Sequence, residues 1–348
     1  MSTFYSLSIK EIRKETNDAV SIVFHIPSEL KQTFEFIAGQ YITVKKELFG
    51  KEIRRSYSIC SAPFSEEFRI AVKAVPNGTF SVFATTELKE GDLLEVAPPE
   101  GRFILNTNEE NAKNYLAIAA GSGITPIMSM LKVVLYNEPQ SHFDLIFANK
   151  TEEDSIFKKE IDALLSTFPE QLSVQYIYSR VTSSDALFGR IDEGNTRYIL
   201  KNTFSNKTYD KVFLCGPEEM ITTTKNTLIE ENIKSENILF ELFNTSSSEP
   251  VEKHEGLSSI TILVDDEETT FEMDTTNTIL AAALKEGIDA PYSCQGGICS
   301  SCLAKVTIGK ATMDKNTILS DEEVQEGFIL TCQAHPTTEK ISIDFDDV

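Results

Sequence analysis

The sequence predicts three domains of different fold class: an antiparallel β-barrel, a doubly wound α/β domain and a small α+β domain. Residues 1–105 contain short β-branched runs separated by Pro and Gly, which is typical of a barrel. Residues 106–244 alternate apolar strands, glycine turns and helical patterns, which indicates a parallel sheet. Residues 258–348 contain a hairpin, a helix and a cysteine-rich loop. The polar stretch 245–257 is typical of a linker.

Charge and composition exclude some functions. The 348-residue chain has a formal net charge of −22, which argues against nucleic acid as a partner. Residues 258–348 hold 17 acidic residues and 5 lysines, a balance that suits either solubility or docking of a basic redox partner. No apolar run approaches the roughly 18–20 residues of a transmembrane helix, and the N-terminus lacks a signal pattern. We expect a cytoplasmic protein without a transmembrane segment.

Within the predicted barrel, residues 54–61 combine an arginine, an aromatic ring and hydroxyl groups. We expect Arg55, Tyr57 and Ser58 to share one face of a strand. There a guanidinium, a ring plane and a hydroxyl suit a phosphate, a stacked ring and a ring nitrogen. The alternative is an exposed strand with no ligand.

The next strand ends at Lys73 and runs through a Pro-Asn-Gly turn into a short helix. Backbone N–H groups at a helix N-terminus form an anion site. We therefore count the strand end and the helix start among the candidate cofactor-binding residues: Lys73, Gly78, Thr79, Phe80 and Ser81.

Two glycine motifs follow apolar strands in the α/β domain. Ligands of such domains bind at the carboxyl ends of the strands, and glycine allows close approach to a pyrophosphate. The same residues could instead form a tight turn, cap a helix or fill a small buried position. The candidate binding residues of the two motifs are Gly121, Gly123, Thr125 and Pro126, and Cys215, Gly216 and Pro217.

The last domain carries four cysteines in a characteristic spacing. Cys294, Cys299 and Cys302 form Cys-x4-Cys-x2-Cys, and Cys332 follows about thirty residues later. This is the spacing of plant-type [2Fe–2S] ligation. The alternatives are a zinc site, which usually has two paired Cys-x2-Cys knuckles, and inert buried thiols.

The barrel and α/β motifs resemble the flavin and nicotinamide domains of the ferredoxin–NADP⁺ reductase superfamily. The likeness lies in Arg-x-Tyr-Ser followed by a glycine turn, and in Gly-x-Gly-x-x-Pro followed by Cys-Gly-Pro-x-x-Met. It implies that Arg55 binds the flavin phosphates, that Tyr57 stacks on the isoalloxazine and that Ser58 hydrogen-bonds near N5. It also implies that residues 78–81 hold the pyrophosphate. It further implies that Thr125 and Cys215 border the nicotinamide and that Phe243 closes over the flavin.

The resemblance also bears on which cofactors bind. Residues 77–81 read Asn-Gly-Thr-Phe-Ser, unlike the Arg-Gly-Gly-Ser-like loop of FMN-using relatives, and this favours FAD. Two strand ends carry residues that suit a 2′-phosphate: Asn149 and Lys150 at one, and Ser179 and Arg180 at the other. We therefore expect NADPH and keep NADH possible. Tyr57, Ser58 and Cys215 are the candidate catalytic residues.

Residues 258–348 resemble a plant-type ferredoxin with a β-grasp fold. A nicotinamide delivers two electrons and a cluster accepts one, so flavin must stand between them. The sequence predicts the order NADPH, FAD, [2Fe–2S], external acceptor.

The whole chain resembles the reductase components of bacterial multicomponent oxygenases, and in particular the reductase subunits of ring-1,2-phenylacetyl-CoA epoxygenases. The likeness is carried by residues 3–7, 54–60, 117–126, 188–192 and 330–334. It implies a di-iron oxygenase of phenylacetate catabolism as the acceptor. The alternatives are a reductase for a fatty-acyl desaturase or a ring hydroxylase, and a non-enzymatic redox-sensing cluster carrier.

Overall fold

The computed structural model describes residues 3–205, 207–243 and 256–348. Phe4–Phe243 form one compact unit, and residues 256–348 belong to a second. The first unit contains both the predicted barrel and the predicted α/β domain. The predicted boundary between those two domains remains a prediction.

The barrel is built from six antiparallel strands. They are β1 (Tyr5–Lys14), β2 (Ala19–His25), β3 (Tyr41–Leu48), β4 (Lys51–Ser58), β5 (Phe68–Lys73) and β6 (Leu93–Val96), in the order β4-β3-β6-β1-β2-β5. A bridge between Ile59 and Ile70 ties the two edges, so the curved sheet is a partly open barrel. Helix α1 (Thr79–Thr86) packs against it. The interior is apolar because alternate strand residues point inward, as the buried Leu7, Ile22 and Ile42 do.

The α/β domain has a six-stranded parallel sheet. Its elements are β7 (Asn114–Ala120), α2 (Ile124–Asn137), β8 (His142–Asn149), α3 (Lys158–Thr167), β9 (Leu172–Tyr178), β10 (Ala186–Phe188), α4 (Glu193–Tyr198), β11 (Lys211–Gly216), α5 (Glu218–Glu230) and β12 (Ile238–Leu242). A π-helical turn, Ile199–Thr203, follows α4. The strand order is β10-β9-β8-β7-β11-β12. The chain therefore changes direction across the sheet between β7 and β11, the kind of position where doubly wound folds bind ligands.

The second unit is an α+β domain of the β-grasp type. Its elements are β13 (Leu257–Val264), β14 (Glu267–Asp274), α6 (Ile279–Lys285), β15 (Leu303–Ile308), β16 (Ala311–Met313), α7 (Asp321–Gln325), β17 (Phe328–Leu330), β18 (Ala334–Pro336) and β19 (Lys340–Asp344). Five strands form a sheet in the order β14-β13-β19-β15-β17, and β16 pairs with β18. Thr278 caps α6, and Gly287, with φ of 80°, follows its end.

Some predicted boundaries move. The predicted linker 245–257 lies outside the described residues except for Gly256 and Leu257, and Leu257 already begins β13. Helix α3 starts at Lys158, because Phe157 adopts φ of 62° and interrupts the helix. Within the described residues, no helix is long and apolar enough to cross a membrane.

Candidate cofactor sites

The flavin motif lies at the end of β4, next to α1. The ring of Tyr57 packs against that of Phe80, with centroids 5.7 Å apart and planes at 39°. Phe80 is buried in α1, so the helix fixes the tyrosine ring. Burial raises the pKa of Tyr57, so its phenol stays neutral. This arrangement presents a fixed, uncharged ring plane that suits stacking on an aromatic cofactor.

The turn before α1 forms a cradle that requires glycine. A Cβ on Gly78 would lie 2.3 Å from Ser81 Oγ and 2.5 Å from Val75 Cγ2. Ser81 Oγ accepts a hydrogen bond from the Val75 N–H over 3.2 Å. The first intrahelical bond runs from Val82 N–H to Gly78 O, so the N–H groups of residues 79–81 have no acceptor within the helix. They can bind a phosphate, which fits the expected pyrophosphate of FAD.

The two basic side chains expected to bind flavin phosphate differ in their surroundings. Arg55 is exposed, and its Nη1 donates to the Arg54 carbonyl over 2.6 Å. Lys73 Nζ lies 3.6 Å from the Asp18 carboxylate. Arg55 thus keeps a surface position that suits a phosphate, whereas Lys73 would have to share its charge with Asp18.

Ser58 does not share a face with Arg55 and Tyr57, and this corrects our expectation. Consecutive strand residues point to opposite faces. Ser58 is buried, and its Oγ donates to Glu241 Oε2 over 3.3 Å. Glu241 lies on β12, so the hydroxyl faces the nucleotide-binding sheet.

Cys215 and Glu241 are neighbours on adjacent parallel strands. They are register partners on β11 and β12. Burial, and then the Glu241 carboxylate, raise the pKa of the Cys215 thiol well above its ordinary value. The thiol is therefore neutral near pH 7. Ser58, Cys215 and Glu241 form one group of side chains at the carboxyl edge of the sheet.

The first glycine turn meets the second motif at this same edge. Gly121–Gly123 form a 3-10 turn between β7 and α2, and Gly121 has φ of 55°. A Cβ on Gly123 would lie 2.1 Å from the Cys215 carbonyl oxygen. Glycine is required there for close packing of the turn against β11. Thr125 is buried and donates to the Ser122 carbonyl over 3.0 Å, which holds the turn.

The residues expected at the nucleotide 2′-phosphate also come together. The Ser179 N–H donates to Asn149 O over 3.1 Å, and the Arg180 N–H donates to Lys150 O over 2.9 Å. Lys150 and Arg180 are exposed. Asn149 Nδ2 is buried and has no hydrogen-bond partner among the described residues. A donor without an acceptor at this edge fits a site completed by a polar ligand.

Phe243 follows β12 and is partly buried against the apolar core of the α/β domain. Its expected position over the flavin stays a prediction.

In the second unit, all four predicted cysteines converge. Cys299 Sγ lies 3.0 Å from Cys294 Sγ, and Cys332 makes thiol contacts with Cys294 and Cys302. The contact with Cys294, and then burial, raise the pKa of the Cys299 thiol. The four thiolates would together supply the two ligands that each iron of a [2Fe–2S] core requires. Among the described ranges, no three or more His, Cys, Asp or Glu side chains are arranged for a single metal ion.

The cluster loop is shaped by backbone contacts. The Gly296 N–H donates to Cys294 Sγ over 3.3 Å, the kind of bond that tunes a cluster. Gly297 has φ of 70°, and a Cβ there would lie 2.8 Å from Gln333 Cγ. Thr317 Oγ1 donates to the Gly297 carbonyl over 2.7 Å. The segment after β16 and the residue beside Cys332 thus hold the loop closed.

Family models match along the chain. The oxidoreductase FAD-binding domain covers residues 6–104, the oxidoreductase NAD-binding domain covers 117–226, and the 2Fe-2S iron-sulfur cluster binding domain covers 262–337. The chain is 37% identical over 353 residues to a subunit of the 1,2-phenylacetyl-CoA epoxidase of Escherichia coli, covering 99% of both proteins. The chain belongs to the family of reductase components of multicomponent oxygenases.

Two further likenesses agree with this assignment. The ferredoxin reductase component of 3-ketosteroid-9-alpha-monooxygenase from Rhodococcus rhodochrous is 30% identical, with 97% of this chain and 96% of the relative covered. The solved structure of phthalate dioxygenase reductase matches with a TM-score of 0.62 and 23% identity, over 98% of both chains. The predicted fold classes, the FAD and [2Fe–2S] domains and the role as an electron-transfer oxidoreductase are confirmed.

Sequence reasoning missed one residue of the candidate sites. Glu241 stands in a terminal strand with no motif around it, yet its register places it beside Cys215. A polar residue at the carboxyl end of an otherwise apolar parallel strand was the available signal.

Proposed function

We propose that this reductase takes electrons from NADPH and passes them through FAD and the [2Fe–2S] cluster to an oxygenase that acts on phenylacetyl-CoA. The observation that carries the proposal is the meeting of Ser58, Cys215 and Glu241 at the topological switch point, where a flavin ring edge and a nicotinamide would face each other. Bound flavin accepts a hydride and releases electrons singly.

The residues of the flavin site have separate tasks in this proposal. Tyr57 would stack on the isoalloxazine, and Ser58 would place its hydroxyl near N5. Glu241 accepts from that hydroxyl in the present arrangement and can exchange a proton through it. The phosphates are held by Arg55, with Lys73 as a further candidate, and by Gly78, Thr79, Phe80 and Ser81.

The residues proposed for the nicotinamide site are uncharged, so they would hold the ring by close packing. Gly121, Gly123 and Pro126 would let the start of α2 approach the pyrophosphate, and Cys215, Gly216 and Pro217 would form the opposing wall. The neutral Cys215 thiol and Thr125 would border the ring and exclude water from it. Phe243 remains the candidate for the side chain that covers the flavin.

The preference for NADPH rests on Lys150, Ser179 and Arg180. Their backbones pair across β8 and β9, so two cations and a hydroxyl-bearing residue lie at one strand edge. A 2′-phosphate is bound by such a set, whereas a free 2′-hydroxyl is usually bound by a carboxylate. NADH is the competing donor.

The site of action that we propose is the cytoplasm. The described cysteines are all free thiols, and Cys60 and Cys215 are buried. Free thiols and thiolate cluster ligands suit a reducing compartment.

The acceptor is tested by reconstitution. The purified reductase is combined with the oxygenase components encoded in the same organism, phenylacetyl-CoA and NADPH, and oxygenated product is measured. Product formation that depends on the reductase supports the proposal. A Cys332→Ser variant, which should not pass electrons onward, is the control. NADPH-driven turnover of a desaturase or ring hydroxylase, with no oxidation of phenylacetyl-CoA, would overturn the assignment of the acceptor.

A further inference from the structure

Helix α2 follows the Gly121–Gly123 turn, and the middle of this helix is attached to the barrel. Ser129 Oγ, on α2, donates to the Ser61 carbonyl over 2.7 Å. One turn later Lys132 Nζ lies 3.4 Å from the Cys60 carbonyl. Cys60 and Ser61 follow Ser58 within three residues. The strand end of the flavin site and the helix of the nicotinamide site are therefore connected directly.

A charged cluster strengthens this connection. Arg69, on β5 of the barrel, donates through Nη2 to both oxygens of Glu160 over 3.0 and 2.9 Å. Lys132 Nζ contacts the same carboxylate over 2.6 Å. Glu160 lies on α3, so one carboxylate joins the barrel to two helices of the α/β domain. The side chain of Arg69 is only 4% exposed, which limits its freedom to re-pair with water.

The surroundings hold Arg69 in place from two sides. Its Cζ lies 5.2 Å from the centre of the Phe157 ring. Phe157 adopts φ of 62°, an uncommon conformation for a bulky residue. On the barrel side, Glu67 Oε2 lies 3.8 Å from Arg69 Nε, and Arg13 binds Glu67 over 2.6 Å. An alternating series of charges thus runs from β1 to α3.

Stability alone is a poor explanation for such a cluster. Partly buried ion pairs often add little net stability, because removing charges from water offsets their attraction. What this cluster does provide is a fixed attachment: it ties α2 and α3 to β5 of the barrel, and Lys132 and Ser129 tie α2 to the residues that follow Ser58. Hydride transfer is sensitive to such placement, since a shift of about 1 Å can slow a reaction roughly a hundredfold.

We propose that Glu160, together with Arg69 and Lys132, is a positioning cluster that sets the nicotinamide-binding helix against the flavin-binding strand and so governs the rate of hydride transfer. This role rests on the proposed function of Ser58 and of the Gly121–Gly123 turn. None of the three cluster residues is assigned to contact a cofactor.

The test compares two substitutions at opposite ends of the charge series. Glu160→Gln removes the carboxylate that joins the two domains. Glu11→Gln is the matched control, because Glu11 pairs with Arg13 on the same strand, within the barrel. Flavin reduction is followed by anaerobic stopped-flow absorbance at saturating NADPH, with 4-deuterated NADPH to show that hydride transfer is observed.

We expect Glu160→Gln to slow reduction roughly ten- to a hundredfold at unchanged FAD content, and Glu11→Gln to reduce at the rate of the unaltered protein. A merely structural role would lower the melting temperature of Glu160→Gln without changing the reduction rate below that temperature. That result would overturn the proposal.

Two further variants keep the test decisive if Glu160→Gln does not fold. Lys132→Gln should slow reduction, and Lys132→Arg should restore it, because arginine can keep both the charge and the contact. Equal rates in both would contradict the positioning role. Failure of the unaltered protein to reduce its flavin with either nucleotide is a different result, since it would overturn the proposed function itself.

Discussion

The Ser58 hydroxyl donates to the Glu241 carboxylate over 3.3 Å, which joins the last residue of β4 in the barrel to β12 at the edge of the nucleotide-binding sheet. Glu241 in turn is the register partner of Cys215 on β11. Three side chains that are far apart in sequence thus form one small polar group where the two domains meet. Ser58 and Cys215 are buried, and Glu241 is partly buried.

Ser58→Ala should slow flavin reduction by NADPH roughly a hundredfold while FAD remains bound, because it removes the hydroxyl that is proposed to connect flavin N5 with Glu241. Stopped-flow reduction and the FAD content of the purified protein measure the two effects separately. Ser56→Ala is the control, since that hydroxyl lies 3.5 Å from Thr43 Oγ1 inside the barrel sheet. Equal rates for both variants would remove Ser58 from the reaction.

Cys332→Ser should abolish stable cluster binding and leave the flavin reducible, because the other three thiols cannot complete a four-thiolate site. Iron analysis and reduction of ferricyanide, a small acceptor that can take electrons from flavin, check the two parts. Cys60→Ser is the control, since Cys60 is buried in the other unit. Full iron content in Cys332→Ser would contradict the assignment of this ligand.

Arg180→Gln should raise KM for NADPH about tenfold and change KM for NADH little. A charge-assisted hydrogen bond to phosphate contributes about 1.5–3 kcal/mol, and a free 2′-hydroxyl does not form it. Steady-state kinetics with both nucleotides provide the measurement. Lys234→Gln serves as a distant control, because Lys234 is exposed and pairs with Glu236. A parallel rise in KM for both nucleotides would place Arg180 elsewhere in the site.

Acid should weaken the barrel through Glu67. The hydrogen bond from Arg13 lowers the pKa of Glu67 below 4.5 in the folded protein. The resulting stability is fully present above pH 4.5 and is lost as pH falls through the lowered pKa. Glu67→Gln should therefore cost up to about 1 kcal/mol near neutral pH and almost nothing in acid, given the partial exposure of the pair.

The free energy of unfolding in urea, measured at about pH 7 and at about pH 3, tests this dependence of stability on pH. Glu66→Gln is the control, because Glu66 is the exposed neighbour of Glu67. A loss of stability in Glu67→Gln that is equally large in acid would show that packing, rather than charge, explains its effect.

The sequence predicts those parts of the molecule whose chemistry is local. Cys294, Cys299 and Cys302 lie in one loop, so their spacing is enough to predict a [2Fe–2S] site. Gly121 and Gly123 lie in one turn, and their spacing predicts a tight turn that a nucleotide could approach. The alternation of strands and helices likewise predicts the parallel sheet, because period and length distinguish the two kinds of element.

Relationships between distant segments could not be predicted in the same way. Glu241 comes next to Cys215 through strand register, and Glu160 meets Arg69 through the packing of α3 on the barrel. Neither contact has a local pattern in the sequence. The expected common face of Arg55, Tyr57 and Ser58 was wrong for a simpler reason: adjacent residues of a strand point to opposite sides.

The most direct test of the electron pathway is an anaerobic titration of the purified protein with NADPH, followed by visible absorbance and electron paramagnetic resonance. We expect the flavin absorbance to bleach and the signal of a reduced [2Fe–2S] cluster to grow, with an uptake of about three electrons per chain. Flavin bleaching without a cluster signal would contradict the pathway from flavin to cluster. No response of either group would contradict the assignment as a reductase.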